Sequence, residues 1–408
     1  MLGRDLDALY DSPLRSFLIL GLGIASLYVV SGKGWRNVQL LTSSSSAKRD
    51  TVHGTDLRIS RIMIYPIKSC AAIDLQSSGY DKEGLEFDRK WMVVDLEKNK
   101  QLSARDNRGI KLIRVIPALK RDPASPTGGV LEVSFPDSPE TPTFSVPLNP
   151  TPEQLASWDV HQGFDIWGHA DEGYVVESSD PMELFTPSEI LSEYVGRPVL
   201  LVMKHPSLAP RPTGEMEYDS ASLGYAGGST VRYPDATPFL LVSDASLINA
   251  EEKVRAMARG EYARKVAGCK PDEPAPPVGE WALPGGDAKK LLMERFRPNI
   301  VVSGVTEAFG EDDWQEIVSP DGKRFLLPMR CPRCMFPNVD TESGKRDPQM
   351  PNNAMMQYRR VDKAAKSKYC FGMYMIPREA DGVLNVGDAI IVSKSELNPK
   401  LTDGEETV

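Results

Sequence analysis

Apolar residues in this chain fall into short runs rather than long helical stripes, and the first run differs from the rest. Phe17-Leu18-Ile19-Leu20-Gly21-Leu22-Gly23-Ile24-Ala25-Ser26-Leu27-Tyr28-Val29-Val30 is free of charge, with Arg15 before it and Lys33 and Arg36 after it. At about 1.5 Å per residue it only just crosses a hydrocarbon layer of about 30 Å. Residues 1–36 therefore read as a short membrane anchor that leaves the bulk of the chain in the cytosol. A secretory signal peptide is the rival reading, but no small-x-small cleavage site leads into a disulfide-rich domain. Residues 37–56, rich in serine and threonine from Thr42 to Ser46, read as a flexible tether.

From Leu57 the pattern is that of strands. Ile59–Tyr65, Trp91–Val94, Leu112–Ile116 and Val130–Phe135 are short β-branched or aromatic runs punctuated by Gly, Pro, Asp and Asn. The proline-dense residues 136–155 read as a surface excursion. A second unit begins near Glu183, with a helix at Ser188–Val195 and a strand at Pro198–Met203. Phe239–Val242 reads as a buried strand, and Ser243 or Asp244 can cap a helix from Ala245 to about Val266. Pro271-Asp272-Glu273-Pro274-Ala275-Pro276-Pro277 reads as an exposed insertion ending at Gly285-Gly286, before a short helix through Leu292. Asn299–Val302, Arg324–Leu327 and Ala389–Val392 complete the strands. The fold class expected is α+β and β-rich, with one β domain over 57–178, a second over 179–395 with peripheral helices, and a tail at 396–408.

Composition adds limits. The chain has 408 residues, 41% of them hydrophobic and 26% charged, which suits a sizeable folded core. A net charge of -9 argues against nucleic acid as the main partner, although local basic pockets for phosphate remain open. Five cysteines, an odd number, do not form a secreted disulfide framework and point to a reducing compartment.

The chemistry concentrates at Arg330-Cys331-Pro332-Arg333-Cys334-Met335-Phe336-Pro337-Asn338-Val339-Asp340. Nearby positive charge favours thiolate, the reactive and metal-binding form of cysteine. Such a pair reads as half a zinc site, a redox dithiol, or one metal ligand beside a bystander. Cys70, Cys269 and Cys370 offer no second pair at zinc spacing, and Pro337 follows too soon for the helix of a thioredoxin-like site. Two inert buried cysteines stay open as well. Elsewhere, Tyr65-Pro66-Ile67-Lys68-Ser69-Cys70, Asp88-Arg89-Lys90-Trp91 and Phe296-Arg297-Pro298-Asn299-Ile300 each put cations or hydroxyls at a strand end, where they could meet a phosphate. Taken singly, each is more often a surface cation or salt bridge.

The ordered set of these segments, together with Gly84-Leu85, Ala104-Arg105 and Val339-Asp340, resembles the MOSC family, and within it the mitochondrial amidoxime-reducing branch. The resemblance runs over roughly residues 57–395. It implies a MOSC N-terminal β domain, a MOSC β-barrel domain and a molybdenum cofactor (molybdenum bound by molybdopterin) held between them. Cys334 matches the family's molybdenum ligand and catalytic position, and Cys331 a variable one. Lys68, Ser69 and Arg89 match cofactor-contacting positions, as do Asp235 and Thr237 of Asp235-Ala236-Thr237-Pro238-Phe239, and Arg297 with Asn299. Ala236 lacks a hydroxyl that the family offers there, and the insertion at 271–286 is unusual. The implied activity is reduction of N-hydroxylated small molecules to amidines or amines, with electrons from cytochrome b5 and cytochrome b5 reductase on the same membrane. No ferredoxin-like cysteine cluster is present to supply them internally. The mitochondrial outer membrane, with the catalytic part facing the cytosol, is the implied location; the apolar run alone suits the endoplasmic reticulum equally. A cofactor carrier or sulfuration module, and a noncatalytic binding protein using the same pocket, are the competing functions.

Overall fold

In the sheets, alternate residues of a strand point to opposite faces, and here both faces are covered. In Arg58–Ile64, Ile62 and Ile64 enter the main apolar core, while Met63 and the following Tyr65 enter a second one. Leu241 likewise joins the main core and its neighbours Leu240 and Val242 the other. The computed structural model describes residues 51–52, 56–180, 182, 184–213, 229–261, 279–283, 289–362, 365 and 367–394. The apolar run at 17–30, the proline-rich 271–277 and the tail lie outside them. Among the described residues, no helix is long and apolar enough to cross a membrane.

The largest sheet has ten strands. Its order is Thr51–Val52, Ile391–Lys394, Trp314–Val318, Arg324–Leu326, Cys370–Pro377, Phe239–Ser243, Ile300–Ser303, Arg58–Ile64 and Ile73–Leu75, with Arg330–Pro332 also on Cys370–Pro377. Phe239–Ser243 and Ile300–Ser303 are parallel. The helix Asp244–Ala258 makes their crossover and packs Ala250 and Val254 on the second core. Ser243 caps it, its Oγ accepting from Ser246 N at 3.1 Å. A closed barrel joins Val160–Ile166, His169–Val175, Val199–Met203, Trp91–Asp95 and Lys100–Gln101. Here too the faces divide: Trp91 and Val93 enter the main core, and Met92 and Val94 fill the barrel with Phe164, Ile166, Val202 and Tyr233. Strands from both expected β units thus contribute to the ten-stranded sheet and to the barrel. The fold is β-rich α+β with peripheral helices, as expected.

Several sequence expectations need correction. Leu112–Ile116 is no strand. Residues Asn107–Arg114 form a 3-10 helix that buries Leu112 and Ile113, and the strand begins at Ile116. Only glycine fits at Gly109, where a Cβ would lie 2.4 Å from Ser103 O. The excursion at 136–155 holds a strand, Phe144–Pro147, whose Phe144 and Val146 are buried against Gly129–Ser134. It also holds most of a helix, Pro152–Ser157, closed by a Thr151–Gln154 capping box. Prolines masked both, although they occupy positions that Pro tolerates, a strand end and a first helical turn. The helix after Ser243 ends at Ala258, eight residues before Val266, with Gly260 in the left-handed region (φ 79°). Residues 289–292 are not helical; a 3-10 turn at Met293–Arg295 follows them. Thr51 and Val52, expected in the flexible tether, pair with Ser393 and Val392.

Candidate functional site

All eight residues singled out from the sequence, Lys68, Ser69, Arg89, Asp235, Thr237, Arg297, Asn299 and Cys334, line one cavity of about 280 Å3. They come from five separated segments, Cys334 following Arg330–Pro332. Lys68 and Ser69 follow Arg58–Ile64, and Arg89 stands just before Trp91–Asp95. Asp235 and Thr237 precede Phe239–Ser243, while Arg297 and Asn299 precede Ile300–Ser303. Cavity residues therefore leave the sheets at their strand ends, as the apolar runs stop.

The backbone there is bent to fit. Ser69, Arg89, Arg297 and Trp167 all lie in the left-handed region, with φ of 72°, 45°, 56° and 57°. Such conformations are uncommon for residues other than glycine and cost of order 1 kcal/mol each. Gly84 makes the neighbouring approach: at φ 126°, a Cβ would sit 2.9 Å from Pro238 O.

Four of the lining cations are each tied to a main-chain carbonyl of the cavity wall. Lys68 Nζ donates to Tyr233 O at 2.6 Å and to Asp235 Oδ1 at 2.5 Å. Arg89 donates to Arg297 O at 3.1 Å, to Asp88 Oδ2 at 2.6 Å and to Asn299 Oδ1 at 3.1 Å. Arg297 Nη1 donates to Cys70 O at 2.8 Å, and its guanidinium stands 3.9 Å from the Tyr65 ring centre. Arg333 donates to Phe296 O at 2.7 Å and to Cys331 Sγ at 3.1 Å. Arg297 Nη2 and Arg333 Nε are buried and have no hydrogen-bond partner. Unpaired buried N–H groups of cations are costly, and acceptors arriving with a ligand would satisfy them.

Electrostatics sharpens the picture. Lys68, Arg89, Arg105, Arg297, Arg333 and Lys368 line the cavity against one lining carboxylate, Asp235. Burial pushes Lys68 down to about 8, even though the Asp235 charge opposes that push. Burial and the adjacent Arg89 push Arg297 down to about 10. Desolvation inside the cleft works against charge on Asp235, whose side chain is 60% exposed, but Lys68 and Trp167 Nε1 hold it well below the usual carboxylate range. A cavity this cationic in a chain of net charge -9 is suited to an anion.

Two of the eight have side chains committed to structure. Asn299 accepts from Arg89 and from Leu240 N at 3.2 Å, and donates to Met63 O at 3.2 Å. Thr237 Oγ1 donates to Phe239 O at 2.9 Å. Val339-Asp340 serves the loop after Cys334: Asp340 pairs with the buried Arg295 and accepts from Ser343 N at 2.8 Å. Cys334 is partly exposed and accepts from Phe336 N at 3.5 Å, against the buried cluster of Ala104, Ile113, Phe336 and Val339. Cys331 is buried in the second core and also reaches the cavity. Among the described residues, no group of three or more His, Cys, Asp or Glu is placed to hold a metal ion, so the zinc reading finds no further ligands there.

Sequence reasoning missed Trp167. It sits with Gly168 in the two-residue turn between Val160–Ile166 and His169–Val175, donates to Asp235 Oδ1 at 3.1 Å, and lies 3.8 Å from the Arg105 guanidinium. Gly168 after an aromatic, between two alternating runs, is a hairpin signal that could have revealed it.

With this geometry in place, comparison with known proteins is informative. The MOSC domain matches residues 230–391, and the MOSC N-terminal beta barrel domain matches 56–182. The chain belongs to the MOSC family. It is 28% identical over 343 residues to rat mitochondrial amidoxime reducing component 2, covering 81% of this chain and 82% of that one. Identity to human mitochondrial amidoxime-reducing component 1 is 26% over 341 residues, covering 81% and 82%. The Xenopus laevis component 1 is 27% identical over 395 residues, covering 94% and 93%. These relatives support membership among MOSC molybdenum-cofactor enzymes, and their names place the relatives in mitochondria.

Proposed function

We propose that this MOSC protein is a molybdenum-dependent oxidoreductase that reduces amidoximes and hydroxylamines to amidines and amines. The observation that carries the reading is the convergence of a partly exposed thiol, Cys334, with the cations Lys68, Arg89 and Arg297 in one cavity. The residues fit the cofactor. Two cationic N–H groups lack partners, the cavity is strongly positive, and one partly exposed thiol suits a metal whose other sulfur ligands arrive with a pterin dithiolene. Cys334 would ligate the metal, while Lys68, Arg89 and Arg297 would hold the phosphate and the pterin. Ser69, Asp235 and Thr237 complete the binding wall, and Asn299 acts by fixing Arg89.

When bound, the cofactor supplies two-electron chemistry that takes oxygen from an N–OH group, so an amidoxime plus two electrons and two protons gives an amidine and water. The chain's own part is to orient, neutralise and supply protons. Lys68 Nζ, pushed down to about 8, can hand over a proton near neutral pH. Electrons come from cytochrome b5 and cytochrome b5 reductase. An anchor at 17–30 would keep the enzyme beside them on the mitochondrial outer membrane, facing the cytosol.

The test is molybdenum per chain in protein from a host that makes the cofactor, with benzamidoxime reduction by a cytochrome b5 chain. Wild type should carry near-stoichiometric metal and turn over, and Cys334→Ser should lose turnover while staying folded. Metal-free wild type, or an active Cys334→Ser, would overturn the assignment. Metal without turnover would point instead to a cofactor carrier.

A further inference from the structure

A second cavity, of about 300 Å3, shares a wall with the first. Along that wall Arg89 lines the first cavity and Lys90 the second, and Asp235 lines the first while Arg232 lines the second. Tyr233 N donates to Arg89 O at 3.1 Å and Lys204 N to Lys90 O at 2.9 Å, which ties the partition together.

Lys90 is the unusual group here. It is 9% exposed and donates to Leu148 O at 2.5 Å and to Asn149 Oδ1 at 2.9 Å, both neutral acceptors. The buried Lys68 and Lys204 each meet a carboxylate, Asp235 and Asp171. Among the described residues, Lys90 has no such partner. An ammonium brings three donors, whereas a neutral amine brings two donors and a lone pair. Two neutral acceptors use both N–H bonds of the neutral amine and leave the lone pair for the cavity.

The surrounding charges agree. Asp81 pairs with Arg232, Glu83 accepts from Thr230 Oγ1 at 2.7 Å, and Glu86 meets Arg121 at 2.8 Å. Lys204 and His205 complete the titratable lining. Burial, reinforced by Arg232, pushes Lys90 down to about 7, with Glu86 and Asp81 opposing. Nζ also stands 5.3 Å from the ring centres of Phe87 and Trp91, an apolar setting. Desolvated lysines of this kind act as amine nucleophiles toward carbonyl carbon.

We propose that the second cavity is a site for a small aldehyde or ketone, which Lys90 takes covalently as an imine. The Nζ lone pair forms the new bond to the carbonyl carbon. The C=O bond is replaced by C=N, and the oxygen leaves as water with both amine hydrogens, so no oxidant or reductant is needed. His205, pushed down by burial and by Lys90, lines the same cavity and can relay the proton.

The test uses the full chain with propionaldehyde and cyanoborohydride at pH 7, followed by peptide mapping. An ordinary lysine, near 10.4, is about a thousandfold less deprotonated at this pH than a group near 7, and lower basicity returns only part of that advantage. Lys90 should therefore be alkylated at least tenfold faster than Lys120, whose side chain is 58% exposed. Its rate should rise through about pH 7 and then level. Lys90→Met should lose that label while Lys120 keeps its rate. Labelling of Lys90 no faster than Lys120, or only after denaturation in urea, would overturn the proposal, whatever the molybdenum content.

Discussion

Replacing Arg297 by methionine separates binding from folding. Arg297 is charged at pH 7 in both folded and unfolded chains, but burial and Arg89 push it from its ordinary value down to about 10 in the fold. At 1.36 kcal/mol per pH decade, that difference costs the cofactor-free fold about 3 kcal/mol. The sign follows from the direction of the shift. A cation pushed down in the folded state destabilises it fully below about pH 10, and the penalty fades as pH rises from there toward the ordinary guanidinium range. Against this relief, Arg297→Met gives up the hydrogen bond to Cys70 O at 2.8 Å, about 1 kcal/mol, and the contact with Tyr65 at 3.9 Å, about 0.5–1 kcal/mol. Methionine keeps an unbranched apolar chain against Tyr65 and Phe336.

The cofactor-free variant should therefore be more stable than wild type by about 1 kcal/mol, a Tm rise of roughly 2 °C for a chain of this size. Protein from a host unable to make molybdopterin, melted at pH 7, gives that number. Molybdenum per chain from a competent host gives the second, which should fall severalfold. A variant that melts several degrees lower yet keeps its metal would refute the reasoning, because Arg297 would then be holding the fold together.

Two other substitutions probe the same cavity. In Asp235→Asn, Lys68 loses the charge that opposes its burial, so its proton is lost at lower pH. Reloading of the cofactor-free variant should decline at lower pH than in wild type, where it declines as pH rises through about 8; superimposable pH curves would remove Lys68 from anion binding. Asn299→Ala should act in the opposite sense to Arg297→Met. It leaves Leu240 N and Met63 O unpaired in a fully buried place and costs the cofactor-free fold roughly 2–4 kcal/mol by chemical denaturation. An unaltered midpoint would mean those bonds are replaced.

What was legible in the sequence follows from range. Strands such as Ile59–Tyr65 and Phe239–Val242 announce themselves by β-branched runs, and Ser243 marks its helix by a local capping rule. Cys370–Pro377, the strand at the middle of the large sheet, went unread. Its Cys-Phe-Gly-Met-Tyr-Met is buried almost throughout, so it shows no alternation, and Gly372 argues against a strand by composition. That glycine is required because a Cβ would stand 2.7 Å from Leu241 O, a contact made across the sheet. The candidate site was readable only as an ordered set of short segments. No spacing rule brings Lys68, Arg89, Asp235 and Arg297 together, since their meeting depends on which strands are neighbours. Trp167 was hidden for the same reason: its turn was visible, but its approach to Asp235 was not.

The commitments of the cavity residues explain why the site is built at strand ends. Four left-handed residues stand around it, and strain of this kind persists only where surrounding structure over-determines it. Here the determinants are specific. Asp88 accepts from Tyr65 N at 2.8 Å with one oxygen and from Arg89 with the other, and Asn299 joins Arg89 to two strands at once. Fixing Arg89 in this way places it beside Arg297, a pairing of like charges that the fold alone would disfavour. Because each of these cations spends part of its donor set on a wall carbonyl, its direction is set before any ligand arrives, and Arg297 Nη2 and Arg333 Nε stay free. Preorganised donors of this kind need no rearrangement on binding, so an anion recovers the electrostatic cost already carried by the fold. The same argument explains why Lys90, one residue away, belongs to different chemistry: it donates to neutral acceptors, and the carboxylates nearest it are engaged by Arg232, Thr230 and Arg121.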